Sequence, residues 1–93
     1  MTAAVVLPAV LDIQQAGPLR DQLLALRGHP VTVDASAVDR LGALCLQVLI
    51  SARKTWDADG KGFALNPASA ALNEQLAAYG CADLNTDPVG ATR

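Results

Sequence analysis

The 93-residue sequence predicts a single α/β domain in which short strands alternate with longer helices. Short apolar or β-branched runs alternate with segments in which apolar residues recur with helical periodicity. Glycine and proline lie in the short connections, as turns require. Hydrophobic residues make up 52% of the sequence and charged residues 17%, which favours a folded core over disorder. The expected order is β-β-α-β-α-β-α, because strands separated by helices pair in parallel through right-handed crossovers.

The N-terminal part of the chain predicts two short strands and a helix. Apolar runs over residues 4–7 and 9–13 are separated by Pro8, which has no N–H for a sheet and therefore fits an edge strand or a turn. Residues 16–27 carry leucines on one helical face. Pro18 is expected in the first turn of this helix, where a missing N–H costs nothing.

The rest of the chain predicts two further strand–helix units. Val31–Ala35 is rich in β-branched residues and predicts a strand, and a helix is expected over residues 41–58. That helix is apolar on more than one side, which indicates burial on two sides or contact with a partner. A strand is expected over residues 62–66, with Asn66 capping a third helix over residues 67–79. The predicted core includes Leu23, Val33, Val48, Leu65 and Leu76.

Charge and hydropathy argue against two classes of partner. A net charge of −2 provides no basic surface for nucleic acid. The longest charge-free apolar segment, residues 41–52, is shorter than the roughly 18 residues of a membrane span, so direct membrane insertion is not expected. No basic residues precede the first apolar run, which argues against a signal peptide and predicts a cytoplasmic protein. Cys45 and Cys81 are expected to be free thiols.

The sequence shows no pattern typical of a catalytic or metal site. The single histidine, His29, lies in a Gly-His-Pro turn, whereas a metal site needs three or four converging ligands. No glycine-rich nucleotide-binding motif or nucleophile motif occurs. Asp12, Asp34 and Asp39 lie near predicted strand ends, where turn formation and helix capping explain them. We therefore expect no enzymatic activity, no metal and no cofactor.

Residues 4–84 resemble the STAS domain, the fold of bacterial anti-sigma-factor antagonists. The resemblance rests on the ungapped order and spacing of six segments, which are Ala9-Val-Leu-Asp12, Leu19-Arg-Asp-Gln-Leu23, Val31-Thr-Val-Asp-Ala-Ser36, Leu41-Gly-Ala-Leu-Cys-Leu46, Gly62-Phe-Ala-Leu-Asn66 and residues 67–80. It implies a STAS domain over residues 1–84, with a small mixed sheet of four or five strands packed with three or more helices. A mobile C-terminal tail is expected over residues 85–93.

The functional centre of this family is the loop that enters the second helix. Phosphorylatable members carry Asp-Ser-Ser-Gly or Asp-Thr-Ala-Gly there, and a kinase phosphorylates the serine just before the glycine to release the partner. The tetrad falls on Gly42, Ala43, Leu44 and Cys45, so no hydroxyl can accept a phosphate. The resemblance therefore implies a non-catalytic signalling module that binds at this loop without that switch. Ser36, earlier in the chain, is expected to be a turn hydroxyl.

A partner-binding surface is expected on this loop and the first turns of the second helix. Asp39 and Arg40 would orient the partner, and Gly42 would let its backbone come close because glycine has no Cβ. The predicted surface comprises Val38, Asp39, Arg40, Leu41, Gly42, Ala43, Leu44 and Gln47.

The partner that the resemblance implies is a kinase. The tetrad region is similar to that of small STAS proteins encoded with bacterial chemotaxis genes, which implies a chemotaxis histidine kinase or an anti-sigma-type kinase. The alternative is the cytoplasmic STAS subunit of a phospholipid-transport ABC ATPase, a group that keeps a threonine where Ala43 stands here. A small-ligand or nucleotide-binding domain or an enzyme is the third class considered, and a homodimer stays open.

Overall fold

The computed structural model describes residues 3–81, and the predicted tail over residues 85–93 lies outside this part of the chain. Within residues 3–81 the chain forms five strands and three helices. In chain order they are β1 (Ala3–Val6), β2 (Val10–Leu11), α1 (Ile13–Leu24), β3 (Val31–Ala35), β4 (Arg40–Leu41), α2 (Ala43–Ala58), β5 (Phe63–Ala68) and α3 (Ala70–Ala78).

The strands form two parallel sheets, which confirms the α/β fold class. The larger sheet has the order β1-β3-β5, and β2 pairs with β4 in the smaller sheet. All pairings among the described residues are parallel, so the four or five strands expected in one mixed sheet are divided between two. The division occurs after Leu7, whose N–H donates to the Asp34 carbonyl of β3 at 2.9 Å. The short strand β4 was not expected, because two residues are too few to show the alternation of apolar and polar side chains that predicts a strand.

Helix α1 begins at Ile13 rather than at residue 16. The Asp12 carboxylate caps it by accepting a hydrogen bond from the Gln14 N–H at 3.0 Å. Pro18 therefore lies inside the helix and not in its first turn, and it leaves the Gln14 carbonyl without its usual helical donor. Sequence periodicity predicted the helix, but its bounds of residues 16–27 are about one turn late at both ends.

The prediction that Asn66 caps the third helix is wrong. Asn66 and Pro67 belong to β5 and are joined by a cis peptide bond. Ser69 caps α3 instead, and its hydroxyl accepts a hydrogen bond from the helix backbone at 3.0 Å. Asparagine and serine are both preferred as N-cap residues, so residue type alone does not decide which of the two caps α3. Ala68 still pairs with β3, so the strand continues past Asn66 and the helix begins only after Ser69, and the local sequence does not reveal this pairing.

One apolar core joins the helices to one face of the larger sheet. Along β3, buried residues alternate with half-buried ones, as in a strand covered on one side. The rings of Trp56 on α2 and Phe63 on β5 meet at the end of this core, with centroids 5.8 Å apart. Of the predicted core residues, Leu23, Val33, Leu65 and Leu76 are buried, whereas Val48 is only half-buried. No helix in residues 3–81 is long and apolar enough to cross a membrane.

The face that α2 buries differs from the simplest interpretation of the sequence. Its buried residues are Cys45, Leu46, Leu49, Ala52 and Trp56. Leu44 and Val48 lie in the neighbouring row of the helix, so they flank the core instead of filling it. The helix therefore carries more apolar residues than its buried face uses, as the sequence indicated.

Candidate functional site

The segment over residues 36–42, which leads from β3 into α2, is attached to β2 on one side. The N–H groups of Asp39 and Arg40 both donate to the Ala9 carbonyl, at 2.7 and 3.1 Å. The Gly42 N–H donates to the Leu11 carbonyl at 2.8 Å. The backbone just before α2 is thereby fixed by strand-type hydrogen bonds.

Helix α3 holds the other side of the same segment. The Ser69 hydroxyl donates to the Val38 carbonyl. The Gln75 Oε1 accepts from the Leu41 N–H at 2.7 Å, and its Nε2 donates to the Asp39 carbonyl at 2.8 Å. In a parallel sheet, a residue accepts from one N–H of the neighbouring strand and donates to the carbonyl two residues earlier. The Gln75 amide makes the same pair of hydrogen bonds, with the Leu41 N–H and the Asp39 carbonyl, on the side of β4 away from β2.

Gly42 makes a close approach within the chain itself. A Cβ at this position would lie 2.8 Å from the Leu11 carbonyl oxygen, although its φ of −81° suits any residue. The expectation that Gly42 leaves space for a partner backbone is therefore wrong. Glycine is required here because β2 passes directly beside the start of α2.

The predicted partner-binding residues divide into a buried and an exposed set. Val38 and Leu41 are 1% and 2% exposed and belong to the core, so their side chains cannot contact a partner. Gly42 is half-buried. The exposed members are Asp39, Arg40, Ala43, Leu44 and Gln47.

Helix α2 begins without a side-chain cap. Its N-cap residue is Gly42, so Asp39 does not cap the helix, in contrast to Asp12 on α1 and Ser69 on α3. The first N–H groups of a helix have no partner within it. The exposed residues Ala43 and Leu44 therefore lie on a helix end that carries the positive pole of the macrodipole.

A groove of about 360 Å³ between α1 and α2 adjoins these exposed residues. Strands β2 and β4 pair in parallel and lead directly into α1 and α2, so both helices begin at the same edge of the smaller sheet. Leu44, Gln47 and Val48 line the α2 wall, and Gly17 and Leu24 line the α1 wall. Two of the predicted partner-binding residues thus share one apolar groove.

The described residues offer little catalytic chemistry. No three side chains of the metal-ligating types His, Cys, Asp and Glu come together within residues 3–81. His29 is exposed, as expected of a turn residue, and its carbonyl accepts from the Trp56 indole N–H at 2.7 Å. Ser36 donates from its N–H and its hydroxyl to the Asp34 carboxylate, at 3.0 and 2.6 Å, and these bonds lower the pKa of Asp34. Asp34, near the end of β3, is therefore ionised and is not a proton donor near neutral pH.

Cys45, in the last position of the tetrad, is a core residue. Its side chain has no exposed surface, and its thiol donates to the Asp12 carbonyl at 3.2 Å. Burial, with a further contribution from the negative charge of Asp12, raises the pKa of Cys45. The thiol therefore stays protonated and unreactive, because the thiolate is the nucleophile.

Sequence reasoning missed the residues that position this site. Gln75 and Ser69 hold the segment, and the Tyr79 hydroxyl donates to the Leu41 carbonyl at 3.3 Å. A signal for Gln75 was present, because it lies next to Leu76 on the apolar side of α3. A half-buried polar side chain needs hydrogen-bond partners, and these had to come from another element.

Comparison with protein families agrees with this architecture. A family model described as "Mlab, STAS domain" matches residues 2–86, which include all the elements above. No curated protein matches the chain significantly. The family match covers most of the 93 residues, and the chain therefore belongs to the STAS domain family.

Proposed function

We propose that the protein is a non-catalytic docking module that binds its partner at the start of α2 and the adjoining groove. Membership of the STAS family is consistent with a non-catalytic interaction module. The observation that carries the proposal is the position of Leu44, which is 49% exposed and lines the apolar groove. Contiguous exposed apolar surface of this kind is typical of protein–protein contact sites.

The docking surface comprises Arg40, Ala43, Leu44 and Gln47 together with the groove, whose α1 wall includes Leu24. Leu44 lies near the start of α2 and Leu24, which is 54% exposed, lies at the end of α1, so the apolar groove has an exposed leucine towards each end. Arg40 and Gln47 are exposed polar neighbours that supply a rim. An apolar centre with a polar rim is the usual anatomy of a specific interface.

Binding at this surface is not controlled by phosphorylation within the tetrad loop. Residues 37–50 contain no serine, threonine or tyrosine. A kinase would therefore be bound as a partner and would not act on this loop as its substrate. On the resemblance described above, we propose a chemotaxis histidine kinase or an anti-sigma-type kinase as that partner.

The test is the Leu44→Glu variant, with Leu44→Met as its matched control. The negative charge of glutamate is favourable near the positive N-terminal end of α2, so the helix is expected to be retained. The charge would enter the apolar groove and weaken binding by at least about tenfold, which corresponds to about 1.4 kcal/mol. Leu44→Met keeps the apolar contact and should bind like the native protein. Calorimetric titration with the purified kinases measures both, after circular dichroism has shown that each variant is folded.

A second variant locates the interface if the first expectation fails. Ala77→Glu places the same charge on an exposed position of α3, away from the groove. Loss of binding in Ala77→Glu with unchanged binding in Leu44→Glu would move the interface to α3. Binding of the phospholipid-transport ATPase in place of both kinases would support the alternative partner, and the Leu44 variants would then test whether the same surface is used.

A further inference from the structure

The outer edge of β1 is unpaired within the described residues. β1 is at the end of the β1-β3-β5 sheet. On its inner side, the N–H groups of Ala3 and Leu7 donate to the carbonyls of Pro30 and Asp34, at 2.8 and 2.9 Å. Backbone groups alternate between the two sides of a strand, so the N–H and C=O groups of Ala4 and Val6 point away from β3. These four groups form a ladder that another strand can complete.

This edge lacks most of the features that prevent strand addition. Natural edge strands are protected by lysines, inward-pointing charges, bulges or prolines. The register of β1 with β3 is regular from Ala3 to Val6, and residues 3–11 have no charged side chain. Val6 is 69% exposed and Ala4 is also exposed. Pro8 is the single protective residue, and it lies beyond the strand.

We propose that two copies of the chain associate through their β1 strands, paired antiparallel about a two-fold axis beside Val5. In this register Ala4 of each copy lies opposite Val6 of the other, and all the outward groups of both residues are satisfied. Two-fold symmetry is the commonest arrangement of homo-oligomers. The occupant is a second copy because β1 has no charged side chain, so an identical strand meets it without electrostatic repulsion.

The charges near this edge are compatible with self-association. The carboxylate of Asp34 pairs in register with Val6 but belongs to β3, one strand further from the axis. Salt screens charges separated by more than about 10 Å at 0.1 M ionic strength, so the two Asp34 side chains do not oppose the contact. The docking surface lies elsewhere, at the start of α2, so the dimer and the partner complex involve different residues.

Light scattering coupled to gel filtration over a concentration series tests the dimer. The native chain should shift from 9.6 kDa towards twice that mass as concentration rises. Val6→Pro removes an outward N–H that β3 does not use, and it should remain monomeric at concentrations where the native chain is dimeric. Val6→Thr keeps the N–H and the β-branched shape, so it should dimerise like the native chain.

Amide hydrogen exchange on the native chain provides a test that needs no variant. The Ala4 and Val6 amides should exchange at least tenfold more slowly in the dimer than in the diluted monomer, whereas the Val33 amide in the central strand should show no such difference. A mass of one chain at every concentration would overturn the proposal. A dimer that persists in folded Val6→Pro, or that leaves the Ala4 and Val6 amides unprotected, would overturn it as well. None of these measurements involves a partner protein, so their failure leaves the docking surface unaffected.

Discussion

Replacement of Gln75 by alanine removes the side chain that joins β4 to α3. Its amide accepts from the Leu41 N–H at 2.7 Å and donates to the carbonyls of Asp39 and Ala71 at 2.8 and 3.1 Å. Leu41 is 2% exposed, so its N–H would lose its partner without gaining water. Asp39 is exposed and its carbonyl can be hydrated. The main loss is one unsatisfied buried donor, which costs about 1–3 kcal/mol of unfolding free energy.

Thermal unfolding followed by circular dichroism measures this loss. In a domain of this size, about 1–3 kcal/mol corresponds to a fall in Tm of about 5–20 °C. Glu74→Ala is the matched control, because Glu74 is exposed on the same turn of α3. Gln75→Glu keeps an oxygen for the Leu41 N–H but loses the donor, so its Tm should lie between those of the native protein and Gln75→Ala. A difference between Gln75→Ala and Glu74→Ala of less than roughly 2 °C would refute the reasoning.

Three further predictions concern the core, the thiols and one ion pair. Leu76→Ala should cost about 2–5 kcal/mol in urea unfolding because the side chain is fully buried, and an unchanged midpoint would contradict its place in the core. An aromatic disulfide reagent should react with the half-buried Cys81 in the native protein and reach Cys45 only after denaturation; rapid reaction of both thiols would show that α2 opens. The Arg27 guanidinium donates to the Asp59 carboxylate and lowers the pKa of Asp59 below its ordinary value. The pair therefore stabilises the fold above the ordinary pKa of an aspartate, and this contribution is lost as the pH falls through the lowered pKa. The difference in Tm between the native protein and Arg27→Gln should therefore be present at pH 7 and disappear in acid, and a difference independent of pH would exclude the ion pair as its cause.

The sequence predicted best those elements whose local signals agree with their packing. The strand Val31–Ala35 has the predicted bounds, because a β-branched run begins after Pro30 and ends before the turn at Ser36. The strands of the smaller sheet are different. Each has two residues, too few to show alternation, and their pairing depends on contacts between distant parts of the chain.

The orientation of α2 shows why periodicity alone does not identify a buried face. Successive residues of a helix lie about 100° apart around its axis. The row that contains Leu44 and Val48 is therefore next to the row that contains Cys45, Leu49 and Trp56. Both rows are apolar in this helix. The contact of Trp56 with Phe63 selects the row of Cys45 for the core, and this leaves Leu44 and Val48 beside the groove.

The predicted partner-binding residues fall into exposed and buried groups that the sequence did not distinguish. Leu44 and Gln47 are exposed and line the groove, whereas Val38 and Leu41 are buried, because their alternation with exposed neighbours depends on the unexpected strand β4. The function of Gly42 depends in the same way on β2, which no local pattern places beside it. Spacing along the chain indicates where a loop lies, but the elements that surround it decide which of its side chains face solvent.

The geometry of the proposed docking surface depends mainly on backbone hydrogen bonds of the smaller sheet. β2 leads into α1 and β4 leads into α2, so the pairing of these two strands sets the separation of the two walls of the groove. Gln75 satisfies the outer side of β4 and thereby fixes the direction in which α2 begins. A partner that binds Leu44 therefore meets a surface that is already ordered, and association does not carry the entropy cost of ordering a loop. A change at Gln75 should consequently weaken partner binding through the position of α2, although Gln75 itself is not part of the docking surface.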